Sequence, residues 1–229
     1  GMWDDAIASA STALEVTPYD ARPNASLMII SAITGEYSEM EKRRQLVVDS
    51  KEIEWAGVVL SVLWEAAISG RKEDFEFWTS LEVDQQAGLN RSKFMTAGEH
   101  FTECQTAVLK GDAERSAELL PGLLEYPPFF SSFGAWPDAR ALAGMVSKTC
   151  GQLDDAAEYL DESLSNSRET KQPPAIALNS GELAAVLLER DAPGDHDRAV
   201  ELQDEAIATE FGMKPLLERV LSQREILKA

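Results

Sequence analysis

Apolar residues recur every three to four positions in one segment of this chain after another, and no segment sustains period-2 alternation. That spacing gathers apolar side chains on one face of an α-helix, so it predicts helices and essentially no strand. Helices are expected over residues 23–34, 52–69, 92–110, 138–150 and 174–190. The second shows the pattern in Val58, Val59, Val62, Leu63 and Ala66. Proline and glycine break the pattern at Thr17-Pro18, at 88–90, at Pro127-Pro128, at 172–174 and at Pro193-Gly194. A closing helix over 213–227 carries Leu216, Leu217, Val220, Leu221 and Ile226 on one side and Glu218, Arg219 and Arg224 on the other. It reads as a terminal cap with a polar outer face.

The helices come in a repeating unit. Gly151-Gln152-Leu153-Asp154-Asp155-Ala156 and Gly194-Asp195-His196-Asp197-Arg198-Ala199 both run glycine, polar, large, two polars, alanine. A second small residue, Ser163 or Ala206, follows seven positions later. Glycine is expected to end one helix in the left-handed conformation, and the acids to open the next. The two small residues share a face two turns apart and let a partner helix approach closely. Weaker copies start at Gly35, Gly70 and Gly111, and Trp3-Asp4-Asp5-Ala6 with Ala13-Leu14 fits the same frame. A period of roughly 35 to 43 residues means helical hairpins stacked in series.

On Gly151, Leu153, Ala156 and Ser163, and on Gly194, His196, Ala199 and Ala206, the chain resembles the tetratricopeptide (TPR) repeat family. It departs from the plain 34-residue repeat. The stretch from Asp204 through Gly212-Met213 to Val220 is similar to the tail of C-terminal helical regions in large bacterial regulators, which join a nucleotide cyclase or a LuxR-type DNA-binding module to an ATPase. The resemblance implies an all-α fold, a TPR-like α-solenoid in which antiparallel hairpins wind into a right-handed superhelix. The whole of 1–229 would form it: a helix at 1–16, hairpins at about 22–50, 52–88, 91–125, 136–169 and 173–211, and a capping helix at 213–228. The first helix has no partner before it, so either the chain is a piece of a longer protein or that helix is a cap. Gly1 before Met2 reads as the remnant of an expression tag.

Composition narrows function. With 21 Lys plus Arg against 40 Asp plus Glu the net charge is −19, which opposes binding to nucleic-acid phosphates or to an anionic membrane. Two Cys and two His support neither a disulfide framework nor a zinc array. His100 and Cys104 stand four apart on one helix, but no further pair completes a metal site. No phosphate-binding loop and no Gly-x-Ser-x-Gly motif is present. The carboxylate pairs Asp4-Asp5, Asp154-Asp155 and Asp161-Glu162 fit helix starts and solvated faces. The expectation is a protein without enzymatic activity, cofactor or metal, located in the cytoplasm.

What remains is interaction. In the TPR frame the groove-facing positions are Trp64, Phe101, Gln105, Met145 and Lys148. The proline-broken segment from Tyr126 to Pro137 adds Phe130 and Trp136, either as a partner-binding loop or as a connection whose aromatics pack onto neighbouring helices. The expected function is a protein-interaction scaffold within a bacterial signalling protein, holding a peptide or partner domain in a concave groove. The alternative is a small-ligand sensor controlling an attached output domain. A basic partner segment is favoured by charge, and self-association is compatible with the sequence. Trp64→Ala is expected to weaken partner binding more than it lowers the melting temperature. A collapse of the melting transition would place Trp64 in the core instead.

Overall fold

A computed structural model of the chain describes residues 3–50, 71, 73–74, 77, 93–131, 137–208 and 212–226. The expected helix over 52–69, the turn at Gly70, the loop at 88–90, and the candidates Trp64 and Trp136 lie outside the described residues. Those described form ten helices: α1 (Trp3–Val16), α2 (Ala21–Thr34), α3 (Tyr37–Asp49), α4 (Lys93–Lys110), α5 (Ala113–Leu123), α6 (Ala139–Thr149), α7 (Leu153–Glu169), α8 (Pro173–Arg190), α9 (Asp195–Ala208) and α10 (Lys214–Ile226). The fold is all-α. Among the described residues the extended pairing is a single isolated bridge between Ser131 and Asp138.

Two compact units are distinguished: Gly1–Gly98 with Gly212–Pro215, and Glu99–Phe211 with Leu216–Ala229. In the first, α1 packs on α2 and α2 on α3. Its core is Ala21, Ala25, Met28, Ala32, Met40 and Val47, a stripe of mostly small side chains. Asp20 caps α2 through the Arg22 backbone N–H, and Gly35 ends that helix at φ 75°. Arg44 reaches from α3 to the fully buried Asp74, and its guanidinium lies 4.9 Å from the Phe77 ring centre. A charge removed from water this completely needs such a partner.

In the second unit four successive pairs pack together: α5 on α6, α6 on α7, α7 on α8, α8 on α9. The repeat residues sit where close packing demands them. Ala156, Ser163, Ala199 and Ala206 are all buried. The tightest approach is between α6 and α7. A Cβ placed on Gly144 would come within 2.6 Å of Leu160 Cγ and 3.1 Å of the Ala156 carbonyl oxygen. Gly111 and Gly151 take positive φ just beyond α4 and α6, as the repeat frame expects. Gly194 also takes positive φ, at 90°, but it is not where the preceding helix stops. That helix ends at Arg190 with Asp191 as its left-handed cap at φ 51°, and Gly194 stands just before α9. Pro193 after Ala192 prevents the helix from running on to the glycine, so the stop falls earlier.

Arginine supplies cross-links between these helices. Arg198 and Arg168 of α9 and α7 pair with Asp161 and Glu205, joining α7 to α9 twice. Arg190 bridges Asp154 of α7 and Asp195 of α9 at 3.0 and 2.7 Å. Arg140 ties α6 to Glu162, and Arg219 and Arg224 tie α10 to Glu182 and Asp204.

Two glycines predict opposite responses to alanine. Gly144→Ala should cost about 1–3 kcal/mol because Leu160 and a backbone carbonyl have nowhere to go. Gly111→Ala has open space around it and should cost only about 1 kcal/mol, for the left-handed backbone alone. Urea midpoints of the two variants check the order. An unchanged midpoint for Gly144→Ala would mean α6 and α7 can part without loss.

Candidate functional site

The sequence-expected positions separate by burial. Phe101 and Gln105 lie one turn apart on the inward face of α4, at 2% and 4% exposure. Phe101 belongs to a ring cluster. Tyr126 and Phe130 meet it edge-on at 5.6 and 5.7 Å and stack on each other at 5.6 Å. Tyr126 and Phe130 of the proline-broken segment thus turn onto α4, and Phe129 is left half exposed. Core packing claims Phe101, and the Gln105 carbonyl oxygen is buried without a hydrogen-bond partner. Met145 and Lys148 share one face of α6, both partly exposed. Lys148 Nζ stands 4.0 Å from the Glu189 carboxylate of α8, so the two helices present a common surface at that level.

Toward the other end of these helices runs a polar seam that periodicity did not pick out. Asp138, the residue that caps α6, accepts hydrogen bonds from the Ala141 N–H and from Ser163 Oγ at 2.8 Å each. Asn179 Nδ2 donates to Ser163 Oγ at 2.9 Å and to Ser167 Oγ at 3.2 Å. Ser167 Oγ donates to the Ser163 carbonyl at 2.9 Å. Beside it Ser180 Oγ donates to Glu205, which also takes the Arg168 fork. Asn179, Ser163 and Ser180 are completely buried. The seam fixes the register of α6, α7, α8 and α9, because a slip of any one strands a buried polar group. One sequence signal would have exposed it: polar Asn179-Ser180 inside an apolar run, and Ser163 and Ser167 one turn apart on the apolar face of α7.

Burial pushes the Asp138 carboxyl above the usual carboxylate range. The Ala141 N–H, the Ser163 hydroxyl and the Arg140 backbone and charge pull the other way without overcoming it. Glu205 is the opposite case. Burial opposes its ionisation, but the Arg168 fork and the Ser180 hydroxyl hold it below its ordinary value.

Neither thiol is held toward its thiolate form. Burial raises Cys104 to about 12 and also raises Cys150, whose Sγ–H donates to the Ala113 carbonyl at 3.6 Å. His100 Nε2 faces the Leu119 carbonyl at 3.2 Å and must carry the proton, since a carbonyl only accepts. Its ring fills the space above Gly122, where a Cβ would lie 2.8 Å from it. Among the described residues no group of three or more His, Cys, Asp or Glu is placed to hold a metal ion, and no helix is long and apolar enough to cross a membrane. No family model matches the chain, and neither characterised proteins nor solved structures yield a match.

Asp138→Asn tests the seam. The raised carboxyl means folding favours the neutral form, so its contribution is fully present below the ordinary value of 3.8 and fades as pH rises through the folded-state pKa. Asn keeps the cap without the charge. Measured by urea midpoint, the variant should gain on the parent protein as pH goes from 4 to 7. Asp138→Ala should lose about 0.5–2 kcal/mol of capping at every pH. A parent protein that gains on Asp138→Asn with rising pH would show that the seam prefers the carboxylate.

Proposed function

We propose that this chain is a non-catalytic interaction scaffold of TPR-like hairpins, winding as a right-handed solenoid, that takes a basic peptide or partner segment along the face of its first helices. The observation that carries the reading is the pairing of like helices. α6 touches α8, and α7 is tied to α9 by Arg198–Asp161 and Arg168–Glu205, so consecutive hairpins α6–α7 and α8–α9 lie with first helix beside first helix and second beside second. That is the stacking a helical-hairpin array uses. Met145 and Lys148 of α6, with Glu189 of α8, lie on the first-helix side and form the candidate contact surface. Trp64 and Trp136 remain candidate anchors on sequence grounds, whereas Phe130 packs against Phe101 and Tyr126.

Charge favours a basic partner. Every arginine of the described residues has a carboxylate within 4.0 Å: Arg22, Arg43, Arg44, Arg71, Arg115, Arg140, Arg168, Arg190, Arg198, Arg219 and Arg224. Each guanidinium charge is thus paired within the chain, and the charge left over is acidic. An excess of that sign speeds encounter with a cationic segment and repels an acidic one. The reading places the chain in a cytoplasmic signalling or regulatory protein.

Labelled basic, acidic and neutral peptides, titrated at two salt concentrations, test it. Only the basic set should bind, and more weakly at higher salt. Met145→Lys, which adds a like charge to the surface, should weaken that binding several-fold at an unchanged melting temperature. Binding blind to peptide charge and to Met145→Lys would remove the reading.

A further inference from the structure

The turn joining α1 to α2 and the last turn of α3 line an open cleft of about 590 Å³ in the first unit, with Pro18, Tyr19, Asp20, Leu46 and Asp49 among its lining. Tyr19 stands 77% exposed at its edge, beside a core of small aliphatic side chains that it does not join. Two helices end at this place, α1 at Val16 and α3 at Asp49, and neither has a basic residue in its last turn. Both carry an acid there instead, Glu15 and Asp49. Helix C-termini bear partial negative charge, which a cation offsets and a carboxylate aggravates. Asp49 is met by a neutral donor, Gln45 Nε2 at 2.9 Å. The neighbouring Asp20 is already neutralised. Arg22 grips it with Nε at 3.1 Å and Nη2 at 2.7 Å, and those hydrogen bonds hold its carboxyl below the usual range.

We infer that this cleft receives a lysine or arginine side chain from a basic partner segment. Asp49 and the two helix ends attract the charged head, the Tyr19 ring offers it a π-face, and Leu46 flanks the aliphatic stem. The inference rests on the scaffold reading for its class of partner, but on a different surface from the α6–α8 face. A guanidinium suits the cleft best, because it pairs with a carboxylate and stacks on an aromatic ring at once.

The experiment titrates the ¹⁵N-labelled full chain with a capped hexapeptide of alternating arginine and glycine, and with its glutamate–glycine counterpart. Saturable amide shifts over residues 16–20 and 46–50 are expected with the arginine peptide alone. Tyr19→Ala and Asp49→Asn should each weaken it by about two- to five-fold, the size expected of an exposed cation–π or charge contact. Tyr19→Phe should bind as the parent does. Both Tyr19 and Asp49 are exposed, and melting curves confirm that the variants fold. Shifts confined to α6 and α8 would overturn the cleft and leave the scaffold reading standing. Shifts at the cleft with Met145→Lys silent would do the reverse. Saturation nowhere, or an unchanged affinity in Tyr19→Ala, overturns the cleft outright.

Discussion

The second unit depends on how near two helices can come. At Gly144 a single missing methyl group lets the backbone of α6 lie against Leu160 and the Ala156 carbonyl of α7. That contact places Asp138 at the head of α6 within reach of Ser163, and Ser163 within reach of Asn179 on α8. From there α8 is held against α9 by Ser180 and Glu205. Apolar burial supplies the drive, through a core of Ala141, Leu160, Leu164, Leu183, Leu187 and Leu202. The hydrogen bonds select one alignment from the many that burial alone would accept.

Charge plays a second, outward role. Exposed ion pairs contribute little to stability one by one. Here their effect is distributional: each described arginine meets a carboxylate, several of them across helix pairs, so the unpaired remainder of the charge is acidic. The opening and closing turns of helices then differ. Asp20, Asp112 and Asp138 stand at N-termini and accept backbone N–H groups, although at Asp138 burial outweighs that welcome for the charged form. Asp49 stands at the wrong end of its helix for the helix's own good.

Much of the architecture was legible because proline and glycine punctuate it. The expected spans at 23–34, 138–150 and 174–190 match α2, α6 and α8 within two residues at each end. The buried small residues at 156, 163, 199 and 206 followed from the repeat alone. Asp191 was not legible, since its left-handed turn depends on Pro193 stopping the helix ahead of the glycine. Phe101 and Gln105 were assigned to a groove by counting from Gly111. Counting cannot see that Tyr126 and Phe130 fold back to cover that face of α4. The polar seam was hidden for a related reason. A serine or asparagine on an apolar face is read as noise until three helices bring such residues together. Tyr19 carried no signal beyond a turn, because only the tertiary fold sets it beside the end of α3.

The ties between the hairpins have one more consequence. Arg198 meets Asp161 and Arg168 meets Glu205 across 37 residues, and Arg190 meets Asp154 across 36. The α8–α9 hairpin therefore finds its partner, α6–α7, in the stretch of chain made just before it. A ribosome adding about 5–20 residues each second delivers such a stretch in a few seconds, long after a hairpin could have formed. Assembly can keep pace with translation, each new pair of helices docking on a finished one. Between these two hairpins, the apolar stripe open to aggregation is then that of the newer one alone.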